Sequence, residues 1–280
     1  MLFITGAKGF IGKELVSQCS KQGMEVFEAD LPEFDIRKKE IADFIPEGVD
    51  AIIHLAALST DPLCKNNAFN CFDVNVMGTL NLMEAAEKKK VKQFVFASSE
   101  WVYDNCTEQE MKNEESIINI ANHTSEYALS KLVSEANLRQ KYQQGFCPVT
   151  ILRFGIIYGP RKEKGSAVES LFGAVKEKDE IEVGSSTTGR HFIHVSDIAS
   201  GIIRSIGLPG FEIINLGGND LITLGEIIET SKKILNKNPK TIETNPKNIS
   251  VRNISNEKAK KLLNWKPETD LETGLKTLLI

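Results

Sequence analysis

Three glycines spaced by threes near the start of the chain, Gly6, Gly9 and Gly12, constrain the fold more than any other feature. They follow an apolar run, Leu2 to Ile4, with the length and composition of a buried strand. They precede a helical pattern with Ile11, Leu15 and Val16 on one face. Strand, glycine turn and helix in this order open a dinucleotide-binding βαβ unit. There Gly6 permits the tight turn, Gly9 lets backbone N–H groups approach a pyrophosphate, and Gly12 lets helix and strand pack closely. The helix N-terminus adds unpaired N–H groups and a positive dipole end. An ordinary βα turn can also carry glycines, so a second observation is needed. It comes from Glu25 to Ala29, a second strand that runs into Asp30. A carboxylate there accepts hydrogen bonds from ribose hydroxyls and repels a 2′-phosphate, so the expected cofactor is NAD rather than NADP.

The chain has 280 residues, enough for a full α/β domain and a smaller appendage. With 41% apolar and 26% charged residues it has the composition of an ordinary globular protein. Its net charge of −4, with both signs interspersed, argues against nucleic acid as a partner, and Lys88-Lys89-Lys90 reads as a helix end. No apolar run is long enough to span a membrane. A strand that starts at Leu2 leads us to expect no signal peptide. Five cysteines without a C-x-x-C pair read as reduced thiols of a cytoplasmic protein, with neither a disulfide framework nor a metal site. His191 and His194, three apart in a strand-like stretch, are expected on opposite faces.

Further strands are expected at Val49–Leu55, Gln93–Ala97 and Val149–Phe154, alternating with helices over about 67–90 and 125–143. Ala56 and Ala57 follow the third strand and are small enough for a ligand to lie against the backbone. The fourth strand is almost wholly apolar, hence central and parallel, and runs into Ser98 and Ser99. Asp104 to Asn122 is polar and irregular and reads as a loop over a functional edge. Beyond Pro160, helices are expected near 166–178, 195–206, 224–235 and 256–263, with strands near 180–183 and 213–216. The alternation predicts a doubly wound parallel sheet with ligands at the carboxyl ends of its strands.

Tyr127 and Lys131 stand at i and i+4, on one helix face. Such a pair is common by chance. The chain holds another, Tyr158 and Lys162, but Gly159-Pro160 between them forbids a helix. Tyr127 is distinguished by its company: a serine pair ending a central strand, behind a glycine-turn unit.

Together, Gly6-x-x-Gly9-x-x-Gly12, Asp30, Asn75, Ser99 and Tyr127-x-x-x-Lys131 resemble the extended short-chain dehydrogenase/reductase family, in its NAD-dependent epimerase/dehydratase branch. The resemblance continues through Leu152-Arg153-Phe154, Tyr158-Gly159-Pro160-Arg161, Arg190 to Asp197, and Lys260 to Pro267, nearly the whole chain. It implies a Rossmann-type α/β fold: an NAD-binding domain over 1–160 and a small C-terminal α/β substrate domain over 161–280, with about 190–216 returning to the first. It further implies cofactor contacts at Gly6, Gly9, Phe10, Ile11, Gly12, Asp30, Asp35, Ile36, Leu55, Ala56, Ala57, Asn75, Ala97, Tyr127 and Lys131. A homodimer, paired through the helices around 67–90 and 125–143, is also implied.

The implied chemistry makes Tyr127 the base that takes a proton from a substrate hydroxyl. A phenol titrating near pH 10 is a poor base at neutrality, so its anion needs Lys131 and the positive nicotinamide ring. Lys131 is also expected to bond the cofactor ribose, and Ser99 to hold the reacting oxygen. Glu100 is a candidate acid/base or simply a loop carboxylate. Trp101 stands where related dehydratases carry a second carboxylate, which argues against a 4,6-dehydratase. Arg161, Arg190 and Arg252 are candidate substrate residues, since arginine suits bidentate pairing with a diphosphate or carboxylate. Asp197 reads as a helix cap or a loop anchor.

These readings lead to a sugar-nucleotide epimerase that transiently oxidises a ring hydroxyl. A dehydrogenase of a smaller sugar, uronate or hydroxy acid is the alternative. It is encouraged by Ile156, where related nucleotide-sugar enzymes carry Asn, and by compact stretches between Arg161 and Arg190. A sugar-nucleotide decarboxylase or dehydratase and a non-catalytic NAD-binding protein stand behind these.

Overall fold

β1 (Leu2–Thr5) is buried along its whole length and lies between β2 (Val26–Ala29) and β3 (Ala51–His54), parallel to both. β4 (Phe94–Ser99) pairs parallel to β3, and β5 (Val149–Phe154) is buried throughout. With Phe211–Leu216 these make a six-stranded sheet in the order Phe211–Leu216, β5, β4, β3, β1, β2. From β1 the chain moves outward to β2, then returns across β1 to place β3. The crevice between the carboxyl ends of β1 and β3 is therefore the switch point of the sheet, where α/β folds bind ligands. A computed structural model describes residues 1–103, 105–107, 109–161 and 165–279. Lys162, the partner of Tyr158 in the discounted sequence pair, lies outside the described residues.

The chain divides into two compact units. The first comprises Met1–Asp104, Ile117–Arg153 and Ala199–Ile214, and the second Asn105–Ser116, Phe154–Ile198 and Asn215–Ile280. In the first, the helices Phe10–Lys21 and Glu126–Gln143 form where the apolar spacing places them. The helix expected over about 67–90 is interrupted: Ala68–Phe72 and Gly78–Lys88 flank a π turn, Asp73–Met77, that carries Asn75. Hydrophobic spacing does not register one inserted residue, and π turns gather at functional positions. β4 extends to Ser99, so Ser98 and Ser99 are the last two residues of a buried strand. At the carboxyl end of β3, His54 joins Thr5 (2.8 Å) to Thr79 (3.0 Å), and burial holds its imidazole neutral, down to about 3.

The second unit contains the strand expected near 180–183, Glu180–Val183, paired parallel with Lys240–Glu243. It also contains short pairings that sequence periodicity missed: Ile156–Tyr158 runs parallel to Phe192–His194 and Gly189–Arg190 antiparallel to Ile222–Thr223. Its helices Ala167–Glu177 and Leu224–Leu235 both begin with capping boxes, Ser166 with Glu169 and Thr223 with Glu226. His191 binds the Gly218 carbonyl and Asn253, while His194 binds Ser196 and Thr277. Among the described residues, no group of three or more His, Cys, Asp or Glu side chains is arranged to hold a metal ion, and no helix is long and apolar enough to cross a membrane.

The close approach of the first helix to β1 depends on Gly12. A Cβ there would collide with the Gly6 carbonyl oxygen and lie 2.6 Å from that of Ala7. Both obstacles are backbone and cannot rotate away. Gly12→Ala is expected to lower stability by about 1–3 kcal/mol, the range for overpacking a tight interior. Chemical denaturation of the two proteins measures it, and equal midpoints would contradict the close packing.

Candidate active site

The glycine turn is built by backbone contacts. Gly6 has φ +70°, the left-handed region, and a Cβ on it would sit 2.8 Å from the Ala56 nitrogen. Leu55 and Ala56, just beyond β3, thus lie directly against the turn that follows β1, with the Leu55 amide donating to the Thr5 carbonyl. Gly9 caps the helix Phe10–Lys21; no side chain caps this end, and no acidic residue stands in its first turn. That is the arrangement a pyrophosphate requires of a helix N-terminus. At the end of β2, the Asp30 carboxylate accepts from the amides of Lys8 and Leu31, both at 2.7 Å. These bonds fix the carboxylate beside the glycine turn. Glycine turn, uncapped helix and oriented acid therefore fit NAD.

Two expected cofactor residues are engaged within the protein. The Asp35 carboxylate is gripped by the Arg37 guanidinium (2.6 Å to Nη2), whose hydrogen bond holds it below its usual range. Ile36 is buried, packs on Gly78, and gives its carbonyl to Asn81.

The catalytic candidates meet on one side of helix Glu126–Gln143. Ser125 caps its start, and Tyr127, Ser130, Lys131, Ser134 and Glu135 are all buried. A helix with so polar a buried face must supply each polar group with a partner. The Ser99 Oγ accepts from the Trp101 amide at 3.2 Å. Lys131 donates to the Ala97 carbonyl at 2.8 Å, with Nζ 4.9 Å from the centre of the Phe96 ring. Ser130 accepts from Asn75, whose amide also clasps Leu58 through both N–H (2.8 Å) and C=O (3.1 Å). The π turn thereby ties the loop after β3 to the catalytic helix.

Burial pushes the Tyr127 phenol up to about 12, against the hydrogen bond from Ser99 that favours its anion. Burial likewise pulls the Lys131 ammonium down to about 8. The sequence reading assigned Lys131 a direct share in stabilising the phenolate. Here its ammonium is turned to the Ala97 carbonyl, and burial governs both groups.

Behind these residues lies a buried network of Arg153, Tyr103 and Glu135. Arg153 pairs with Glu135 through Nε (3.0 Å) and Nη2 (2.6 Å), and its Nη1 donates to the Tyr103 hydroxyl at 2.9 Å. Ser98 donates to Glu135 Oε1, the oxygen that also accepts from Arg153 Nε. Glu135 was missed in the sequence, although it sits one turn beyond Lys131 on the same helix face. Glu100 is fully buried and opens the short turn Glu100–Val102.

The arginine candidates all belong to the second unit. Arg161 is held by Glu169, with Nε 2.7 Å from the carboxylate, and by the Ile157 carbonyl. Arg190 is anchored on the carbonyl and hydroxyl of Ser250. Arg252 is brought beside it, its amide donating to the Gly189 carbonyl at 3.2 Å. Asp197 anchors a loop, accepting from the amides of Glu268 and Thr269.

The model of the NAD dependent epimerase/dehydratase family matches residues 2–217, and the chain belongs to that family. It is accordingly an NAD-dependent enzyme of the extended short-chain dehydrogenase/reductase type. A UDP-glucuronate 4-epimerase of Thermodesulfobacterium geofontis is 29% identical over 91% of this chain and 78% of its own. UDP-glucuronic acid decarboxylase 3 of Arabidopsis thaliana is 27% identical over 98% of this chain and 86% of its own. In fold, MoeE5 in complex with UDP-glucuronic acid and NAD superposes with a TM-score of 0.88 at 24% identity, covering 99% of this chain and 97% of that one.

The position of Lys131 has a consequence for stability. Its ammonium titrates near 8 when folded against 10.5 ordinarily. Between those values the unfolded chain keeps a proton that the folded chain has released, so unfolding free energy rises with pH across that window. The rise is on the order of 3 kcal/mol. Because the raised Cys64 and Tyr127 act with the opposite sign above pH 9, the contribution is read as a difference: denaturant unfolding of cofactor-free protein from pH 8 to 10.5 is expected to give a more positive pH slope for wild type than for Lys131→Met. Equal pH slopes would contradict the buried ammonium.

Proposed function

We propose that this enzyme is a nucleotide-sugar epimerase that inverts one ring carbon by transient oxidation, acting on a UDP-hexose or UDP-hexuronate. The observation that carries this reading is the buried grouping of Ser99, Tyr127 and Lys131 in the unit that holds the glycine turn. Bound NAD supplies a reversible two-electron oxidant.

The chain's own residues handle the proton. Tyr127 Oη takes it from the substrate hydroxyl and returns it when the carbon has been inverted, so no net proton is consumed. Ser99 Oγ donates toward the reacting oxygen, held in place by the Trp101 amide. Such a preset donor stabilises charge as it develops. Lys131, fixed by the Ala97 carbonyl, keeps a cation within reach of the phenol. Asp30 and the helix start at Gly9 bind and orient the cofactor. Arg190 and Arg252 are assigned to the substrate's diphosphate or carboxylate, with Arg161 kept in reserve by its bond to Glu169. Two copies would pair through the helical stretches around 67–90, where Phe69 and Met77 are exposed, and 125–143.

The named relatives favour a UDP-sugar, and all three proteins named above act on or bind UDP-glucuronate. A second reading, decarboxylation of that sugar, rests on Glu100, a buried carboxyl next to Ser99 that could handle a second proton.

The test is incubation of holoenzyme with UDP-glucose and UDP-glucuronate, followed by NMR of the product and absorbance of the cofactor. We expect a stereoisomer of one of them without accumulation of NADH, and a kcat roughly 10²–10⁴ lower for Tyr127→Phe. NADH formed in proportion to product would make the enzyme a dehydrogenase, and a pentose with carbon dioxide would make it a decarboxylase.

A further inference from the structure

The buried face of Tyr127 rests on two sulfur atoms that the proposed chemistry does not use. Cys64 ends the four-residue helix Asp61–Cys64, and Cys71 lies in the helix Ala68–Phe72. Their Sγ atoms are 2.7 Å apart. Both side chains have 0% exposure and form one cluster with Tyr127, edged by Leu58 and Trp101. Between residues 59 and 71 no other residue is buried. The segment is held against the helix Glu126–Gln143 by this pair of thiols and by the Ser125 hydroxyl, which donates to the Asp61 carboxylate.

We propose that Cys64 and Cys71 are a redox modification site, joined reversibly by an intramolecular disulfide that staples this segment at the back of Tyr127. The two sulfurs already touch. A bond of about 2.05 Å needs only a small further approach, by side chains on short elements separated by an exposed turn. The polar surroundings tolerate the change. In the dithiol state Cys64 donates to the Leu58 carbonyl and Asn75 points an N–H at Cys71. On oxidation, the Leu58 carbonyl keeps its bond from Asn75.

The step balances with a peroxide as oxidant. One thiolate attacks the O–O bond, giving a sulfenic acid and water. The second thiol displaces the hydroxyl as another water, forming the S–S bond. Two electrons pass from the sulfurs to the peroxide, and both thiol protons leave in the waters. In the closed state the reaction is slow, because burial and the neighbouring thiol push Cys64 up to about 12 and little thiolate exists. Local opening of the exposed segment admits the oxidant, and closure then aligns the two sulfurs.

The test uses full-length holoenzyme treated with hydrogen peroxide, quenched in denaturant with a maleimide, and mapped by peptide mass spectrometry. The expected product has lost two hydrogen atoms. Cys64 and Cys71 are joined and unlabelled, Cys19 and Cys147 are labelled, and thiol reductant reverses the change. Cys71→Ser, with Cys64 then labelled, is expected to abolish the loss. If wild-type Cys64 and Cys71 both remain labelled after peroxide, or if either pairs with a different cysteine, the proposal is wrong. Because the wild-type map decides the matter alone, a variant that folds poorly leaves the answer unchanged.

Discussion

The structure depends on one unusual burial: helix Glu126–Gln143 turns a polar face, not an apolar one, toward the sheet. Tyr127, Ser130, Lys131, Ser134 and Glu135 are each largely removed from water. Each would be costly if left unpartnered, so neighbouring elements are shaped to meet them. The Ala97 carbonyl takes Lys131, the π turn brings Asn75 to Ser130, and β5 supplies Arg153 to Glu135. A buried ion pair contributes little net stability over an apolar equivalent, but removing one partner is severely destabilising. Its value here is positional. Glu135 is fixed by Arg153 of β5 and by Ser98 of β4, so both strands are tied to the helix Glu126–Gln143.

The second constraint is steric. At the switch point between β1 and β3, Gly6 and Gly12 let three backbone segments approach more closely than side chains allow. That leaves an uncapped helix start and a fixed Asp30 carboxylate beside the same turn. The proposed cofactor site is thus largely backbone, while the proposed catalytic site is largely side chain. The two meet because Ala97 and Ser99 belong to one strand, with Lys131 bonding the first and Tyr127 close to the second.

Much of this was legible in the sequence because it is local. A glycine at every third position, an acid at a strand end and a Tyr–Lys pair one turn apart each carry their geometry in their spacing. The strands β1 to β5 and the capped helices of the second unit follow from periodicity for the same reason. What escaped is non-local. Nothing in the spacing of Cys64 and Cys71 announces that two short helices bring their sulfurs together. Glu135 and Arg153 become partners only through the sheet, and the π turn at Asn75 is one residue hidden inside an otherwise regular helical pattern. Two- and three-residue strands such as Gly189–Arg190 and Ile156–Tyr158 are too short to show a period. Burial works against ionisation of both Tyr127 and Lys131, an effect that their spacing in the sequence does not show.

Reversible oxidation at one carbon is the central claim, and the fate of the hydrogen on that carbon tests it most directly. The turnover should be run in deuterium oxide and the product examined by NMR at the inverted position. A hydrogen lifted from the carbon and returned from the same enzyme-bound cofactor never meets solvent, so the account predicts no deuterium there. Deuterium at the inverted carbon would mean that the centre is deprotonated and reprotonated instead, and would contradict the role given to Tyr127.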